Sequence, residues 1–551
     1  MSVQATFAAT LVDEWARLGV TDAVVCPGSR STPLVLALHD RLRIHVRLDE
    51  RSAGFYALGL AMATGRPVVL CVTSGTAAAE LHPAVVEAHY ARIPLVVCTA
   101  DRPPELHDTG APQTIDQEGL FTTSTRWAAT PGVPAPGQET TWRPLAARAF
   151  AESRHGPSGP GPVHLNLAFR EPLGGAAGTL PQQLGPDVAA PRSATGRPQA
   201  PLGGRGIVVA GGLSPAPPDR DKVLSLARAL RWPLLADPRS QCRVVGTVAA
   251  ADAIVRARPP LPETVLLLGA PWLSKALAGY VSEAGRAGAR IVVLDPWRQW
   301  PDPTRAATEF HQGDSDAWLD GAIDEAQPCD GSWLASWTER EEKAQAAIAE
   351  TLGTDLNEPQ VARAVHSHAA QTAATVVVSA SMPIRDLEWF ALAVSSPPVV
   401  FANRGANGID GVVSTALGVA ASEANHRTIA LIGDLAFLHD VSGLVNVPDV
   451  PCTFVVPDNG GGGIFSFLPQ ADELGTGTFE RLFGTPPSSD LGAVARGFGL
   501  SVVEVSSLSE LEAALWALPR TPEVVRVKVP DRAQNVALHQ ALNEAVRRAL
   551  T

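Results

Sequence analysis

The amino-acid sequence predicts an α/β protein of three consecutive doubly wound parallel-sheet domains. Three observations carry that expectation. The chain has 551 residues, too many for one hydrophobic core, and at roughly 150 residues per domain it divides into about three or four. Apolar runs of strand length alternate with helix-length patterns, as in parallel strands joined by crossover helices and covered on both faces. Those runs end on Gly or polar residues, at the carboxyl ends of strands where such sheets bind ligands.

The elements follow in order. MSVQATFAATLVDEWARLGV reads as an amphipathic helix and lacks the charged and apolar regions of a signal peptide. DAVVCPGS, RIHVRLDE, PVVLCVTSGT and IPLVVCTADRP read as strands, with helices at AGFYALGLAMATG and AAAELHPAVVEAHYA, and VHLNLAF (163–169) closes a first domain over 1–175. Residues 176–204, rich in Pro, Gly and Ala without a period, read as a linker. A second domain, 205–350, begins at GIVVAGG, continues through WPLLADP, TVLLLGAP and RIVVLDP, and ends in helices at DSDAWLDGAIDEA and SWTEREEKAQAAIAETL. The third, 355–551, has strands in ATVVVSAS, PPVVFANRG, RTIALIGDLA, CTFVVPDNG and EVVRVKVP.

Composition narrows the function classes. A net charge of −12 leaves no basic excess to neutralise phosphates, which argues against a nucleic-acid or membrane-surface binder. Lysine occurs only at positions 222, 275, 343 and 528, so recurrent cationic chemistry falls to arginine, whose fork suits carboxylates. The six cysteines form no CxxC pair and read as reduced, buried residues of a cytoplasmic protein. No apolar stretch is long enough for a transmembrane helix.

Three constellations carry chemistry. RTIALIGD ends on Gly433 and Asp434, and FVVPDNGGGG ends on Asn459 and a glycine run. Neighbouring strand ends of this kind join a carboxylate, an amide oxygen and a bare carbonyl, a hard-oxygen set suited to Mg2+ holding a diphosphate, with glycines admitting the phosphates closely. A solvated turn with a capping Asp is the competing reading. Glu50, in RLDERSAGFYALG, stands between a strand and a helix and by itself reads as a helix N-terminal charge. TSGTAAAE, with Thr73 and Gly75, is a strand–helix turn that suits an anion. The third set is Ser29 and Arg30 in PGSRSTP, Arg102 in TADRPPEL, Gln113 in GAPQTIDQ, Lys275 in APWLSKAL, Ser381 and Arg385 in SMPIRDL, and Arg404 in FANRGANGIDG. Each arginine alone reads as a surface ion-pair partner; together they suit substrates with several carboxylates.

PGSRSTP, LDER, TSGTA, TADRPPEL, NRGANGIDG, GDLAFLHD and NGGGGIFSFLP together closely resemble the MenD family of thiamin-diphosphate enzymes, the 2-succinyl-5-enolpyruvyl-6-hydroxy-3-cyclohexene-1-carboxylate synthases. The resemblance runs from about residue 5 to 545 and is thinnest in the middle. It implies a pyrimidine-binding domain over 1–175, a central domain, and a diphosphate-binding domain over 355–551. It implies thiamin diphosphate with Mg2+ or Mn2+, and a homodimer or homotetramer with the active site at a subunit interface. The implied reaction decarboxylates 2-oxoglutarate and adds the resulting enamine to isochorismate, in menaquinone biosynthesis.

By the same resemblance Glu50 is the catalytic carboxylate on the pyrimidine N1′, and Asp434, Asn459 and the Gly461 carbonyl are the metal ligands. Cofactor contacts fall to Thr73, Gly75, Ser381, Gly408, Ile409, Gly433, Leu435 and Ala436. Substrate contacts fall to Ser29, Arg30, Arg102, Gln113, Lys275, Arg385 and Arg404, with Ile464 and Phe465 as an apolar wall. Pro112, Ala276 and Ala380 depart from the family's usual residues. Two alternatives stay open: another thiamin-diphosphate decarboxylase or acetolactate-type synthase, and an inactive nucleotide- or flavin-binding regulatory relative on the same folds.

Overall fold

Every apolar run read above as a strand is one, and all pair in parallel. The computed structural model describes residues 1–156, 158–183, 198, 200–212, 217–297, 299–424 and 427–551. The first sheet holds β1 (Asp22–Val25), β2 (Arg43–Val46), β3 (Val68–Val72), β4 (Leu95–Asp101), β5 (Trp127–Ala129) and β6 (Pro162–Ala168), in the order β2-β1-β3-β4-β6-β5. The second holds β7 (Gly206–Ala210), β8 (Leu234–Ala236), β9 (Thr264–Leu268), β10 (Arg290–Leu294) and β11 (Glu309–His311), in the order β11-β10-β9-β7-β8. The third holds β12 (Thr375–Val378), β13 (Val400–Phe401), β14 (Thr428–Leu431), β15 (Cys452–Asp458), β16 (Ser501–Val505) and β17 (Glu523–Lys528), in the order β13-β12-β14-β15-β17-β16.

In each sheet the first strand lies between the second and the third. The chain therefore reverses its winding there and leaves a crevice at the carboxyl ends of those strands. The strands that sequence reading passed over, β5, β11 and β16, are all edge strands. None is buried on both faces, so none reads as a continuous apolar run. The segment AAAELHPAVVEAHYA is two helices, Thr76–Glu80 and His82–Ala91, broken at Leu81 ahead of Pro83.

The chain forms two compact units. The first joins Met1–Arg192 to Asn403–His426 and His439–Val450; the second takes Ser193–Ala402, Arg427–Leu438 and Pro451–Thr551. Two segments of the stretch read as the third domain thus pack with the first sheet. Their attachment is specific. The helix Glu50–Thr64 meets the helix Val412–Ala420 so closely at Gly59 that a Cβ there would strike the Thr415 carbonyl. Buried Arg47 donates to the Gly443 carbonyl and, at 2.9 Å, to that of Asn446. Of the linker, residues 184–197 and 199 lie outside the described residues; its start is pinned by Gly178 N donating to Thr6 Oγ1 (2.8 Å) and Arg143 Nε to the Pro181 carbonyl (2.9 Å).

In the second unit the middle and third sheets share a buried joint. Arg243, fully enclosed, donates to the carbonyls of Ala236 (2.6 Å), Glu388 (2.8 Å) and Ala391 (2.8 Å). All six cysteines are buried and unpaired. Among the described residues no helix is long and apolar enough to cross a membrane.

Candidate active site

In the second unit the ends of β14 and β15, neighbours in the third sheet, bring Asp434, Asn459 and Gly461 together. Asp434 opens a short helix, and its carboxylate accepts from the amides of Leu435 (2.7 Å) and Gly461 (2.7 Å). Burial nevertheless outweighs those hydrogen bonds and pushes its carboxyl up to about 6. A cation beside it would restore the charged form. Asn459 donates through Nδ2 to Glu358 Oε1 at 2.8 Å, which leaves its Oδ1 buried without a partner. Gly461 has φ +134, and a Cβ there would strike the Gly484 carbonyl, so only glycine allows this turn. Its own carbonyl accepts from Gly463 N at 2.8 Å and keeps a second lone pair.

Beside these, Gly433 N donates to Ser379 Oγ at 3.3 Å, and Ala436 is buried in the Asp434 helix. Ser381 precedes the helix Met382–Phe390 with φ 74 and ψ −133, a conformation that glycine favours and serine adopts at a cost. Arg385 donates to the Ser381 carbonyl at 2.5 Å, and burial lowers the guanidinium's pKa. Lys275 is exposed at the start of the helix Lys275–Arg286. Two residues before it, Leu273 N donates to Glu388 on the Arg385 helix at 2.8 Å. Ile464 and Phe465 lie in the 3-10 turn Gly463–Phe467, with Phe465 partly exposed against Phe483.

The first unit gathers a different set. Glu50 is the first residue of its helix, but the cap is Asp49, whose carboxylate accepts from Ser52 N at 2.7 Å. Glu50 is thereby left half-buried, and burial raises its carboxyl, helped by the charges of Asp49 and Glu80. Beyond β3, buried Thr73 leads into Ser74 and Gly75, whose φ of 82 and ψ of −138 match those of Ser381. Ser74 Oγ accepts from Arg102 Nη1 at 2.6 Å and donates to the Gln113 carbonyl at 2.9 Å, while Gln113 Nε2 donates to the Ser74 carbonyl at 3.0 Å. Arg30 is buried, donating to the Phe169 carbonyl at 3.0 Å and pairing with Glu171 at 3.2 Å; Ser29 before it is exposed. Burial, then the neighbouring Arg30 charge, lowers the pKa of Arg102. Arg102 and Gln113 therefore hold one turn, with the Arg30 charge near Arg102. Arg404, Gly408 and Ile409 follow β13 in a loop whose Gly405 and Ala406 amides each donate to the Glu87 carboxylate at 2.6 Å.

Three residues that hold these candidate sites together escaped the sequence reading. Glu87 looks like a helix-surface acid in VVEAHYA but is 2% exposed and grips the Arg404 loop. Gln117 is buried and accepts from Gly75 N at 2.9 Å while donating to Asn166 at 2.9 Å. The signal available was VHLNLAF itself: His164 and Asn166 are polar residues on one face of a buried strand. Glu358 passes for a helix-start charge in NEPQVARAV, yet it is buried and meets Asn459.

Comparison with known proteins agrees with this geometry. The N-terminal binding-domain model of thiamine pyrophosphate enzymes matches residues 5–120, the middle-domain model 200–376, and the C-terminal binding-domain model 388–529. A 2-succinyl-5-enolpyruvyl-6-hydroxy-3-cyclohexene-1-carboxylate synthase of Thermobifida fusca is 42% identical, with 100% of both chains covered. Synthases of the same name from Geobacillus kaustophilus (41%; 98% of each chain) and Chloroflexus aurantiacus (40%; 98% of this chain and 96% of the relative) are similar along the same length. The chain belongs to this synthase family.

The residues present fit the cofactor that the family models name. The orphaned Asn459 Oδ1, the buried Asp434 carboxylate and the glycine-only turn at Gly461 form an oxygen-rich end that could hold a diphosphate through a cation. Among the described residues no group of three or more His, Cys, Asp or Glu could hold a metal. This set has one carboxylate, so a cation held here would take further oxygens from phosphate and water.

Proposed function

We propose that the chain is a cytoplasmic transferase that uses thiamin diphosphate and Mg2+ (or Mn2+) to decarboxylate 2-oxoglutarate and join the retained four-carbon unit to isochorismate. The products are 2-succinyl-5-enolpyruvyl-6-hydroxy-3-cyclohexene-1-carboxylate and CO2, a step of menaquinone biosynthesis. The observation that carries it is the buried, unpartnered Asn459 Oδ1 beside Asp434 and Gly461. An amide oxygen left dry beside a carboxylate is costly unless a cation takes it.

When bound, thiamin diphosphate supplies the carbon nucleophile and the electron sink for decarboxylation. The chain's residues do the rest. Asp434, Asn459 and the Gly461 carbonyl hold the metal, while Gly433, Leu435, Ala436, Ser381, Thr73, Gly75 and Gly408 line the cofactor and Ile409 supports it. Glu50 is the catalytic residue: its carboxyl, raised by burial, holds a proton at the pyrimidine N1′. Arg30, Arg102, Arg385, Arg404 and Lys275, with Ser29 and Gln113, orient the substrate carboxylates, and Ile464 and Phe465 wall the reacting carbon from water. Domains over 1–175, 205–350 and 355–551 serve pyrimidine binding, a central role and diphosphate binding. A homodimer or homotetramer with the cofactor at its subunit interface completes the reading.

The test is an assay of the purified chain with isochorismate and 2-oxoglutarate, with and without cofactor and Mg2+. Cofactor-dependent product supports the proposal. Consumption of pyruvate but not 2-oxoglutarate overturns the substrate assignment.

A further inference from the structure

Asn459 presents a question of orientation. The two ends of a side-chain amide are nearly equal in size but opposite in character, one accepting and the other donating. Which end faces a cation is decided by what the other end meets. Here Nδ2 meets Glu358 Oε1 at 2.8 Å, and Oδ1 is the buried end without a partner. Space is tight on the donor side, since a Cβ on Gly463 would lie 2.7 Å from Nδ2. Glu358 is free for this contact because it has no capping duty. Asn357 caps the helix Glu358–Thr372 through its side chain, accepting from Gln360 N at 3.0 Å, and Pro359 fixes the first turn. Glu358 is itself 5% exposed, so water does not compete for the amide.

We infer that Glu358 is a positioning residue: by taking Asn459 Nδ2 it turns Asn459 Oδ1 toward the metal of the diphosphate site. The inference rests on the metal reading proposed above. An apolar residue at position 358 leaves both amide orientations similar in packing, and the flipped one presents an NH2 group to the cation. Partners that orient a ligand set metal affinity without touching the metal.

The experiment uses the full chain with saturating thiamin diphosphate and reads the Mg2+ concentration at half of the cofactor-induced rise in thermal midpoint. Glu358→Leu is expected to raise that concentration between about 10- and 100-fold, and Glu358→Gln, which keeps an acceptor oxygen, by no more than about threefold. In an Asn459→Asp background there is no amide left to orient, and two acidic side chains face each other. There Glu358→Leu is expected to lower the half-saturating Mg2+ concentration, a change of sign that a merely structural role does not give. If the leucine chain does not fold, Glu358→Gln decides: it must hold in the parent and lower the value in the Asn459→Asp background. Equal losses for Leu and Gln in the parent, or the same loss from Leu in both backgrounds, overturn the inference. A parent that responds to Mg2+ while Glu358→Leu responds identically removes this inference alone; a parent with no Mg2+ response removes the metal reading and this inference with it.

Discussion

The first and third sheets share one strand order, second-first-third-fourth-sixth-fifth in each unit of the sequence, yet their carboxyl ends carry opposite chemistry. Around β1, β3 and β4 stand Arg30, Ser74 and Arg102; at β14 and β15 stand Asp434 and Asn459. Two helix starts repeat one pattern at different places in the chain order, the first before the third strand of its sheet and the second before the first strand of its own. Asp49 caps the helix that Glu50 opens, and Asn357 caps the helix that Glu358 opens. One acid stays half-exposed and the other is buried against Asn459. The lesson is that topology supplies the crevice, and the residues just past each strand set the charge that lines it.

The largest expected effects separate the two ends. Asp434→Ala should abolish the thermal stabilisation given by thiamin diphosphate with Mg2+, read by a melting scan with and without cofactor. Glu50→Gln should keep that stabilisation and lose turnover on the order of a thousandfold, the size of a lost proton-transfer group. Wild-type turnover in Glu50→Gln erases the division of labour.

Next is the loop that crosses between sequence domains. Glu87→Gln replaces one of two accepting oxygens with an NH2 facing a backbone amide. It should cost about 1–3 kcal/mol in chemical denaturation and, on the proposed role of Arg404 in orienting substrate, raise KM more than it lowers kcat. An unchanged KM would assign Glu87 to stability alone.

A pH experiment probes the edge of the first sheet. Burial acts to raise Asp22, but hydrogen bonds from His45, Arg43 and Thr21 win and pull its carboxyl down to about 2. Because the folded value lies below the unfolded one, its stabilisation is present above pH 4 and lost as pH falls toward 2. Asp22→Asn should remove on the order of 2 kcal/mol near neutral pH and flatten the acid limb of the stability profile. An unaltered acid limb would show that β2, and the Glu50 helix after it, are held by other contacts.

The smallest effect compares the twin turns. Gly75 and Ser381 share a backbone conformation, but only glycine adopts it without strain. Ser381→Gly should stabilise the chain by about 1 kcal/mol while weakening activity through the lost hydroxyl. A fall in thermal midpoint would mean the hydroxyl contributes more than the strain costs.

What could be read from the chain alone follows from burial. Strands covered on both faces announce themselves as apolar runs, so fourteen of the seventeen strands of the described sheets were legible, and β5, β11 and β16, half-exposed at sheet edges, were not. Asp434, Asn459 and the glycine run were legible because polar and glycine residues ending buried strands violate the local pattern. Arg30 and Arg102 were named, but the contact of Arg102 with Ser74 depends on β4 lying beside β3. Glu87, Gln117 and Glu358 had no such contrast. A carboxylate on a helix costs nothing to explain until it is known to be buried.

The sequence by itself determined the three parallel sheets, the family and the polar and glycine residues that end β14 and β15, because each strand run and each motif is read from residues adjacent in the chain. Tertiary structure decided that segments 403–426 and 439–450 pack with the first sheet, that Glu87 holds the Arg404 loop, and that Glu358 takes the donor end of Asn459. Those are contacts between segments far apart in the chain. Local pattern records a residue's own burial preference, while its partner is fixed only when the sheets and helices have been brought together.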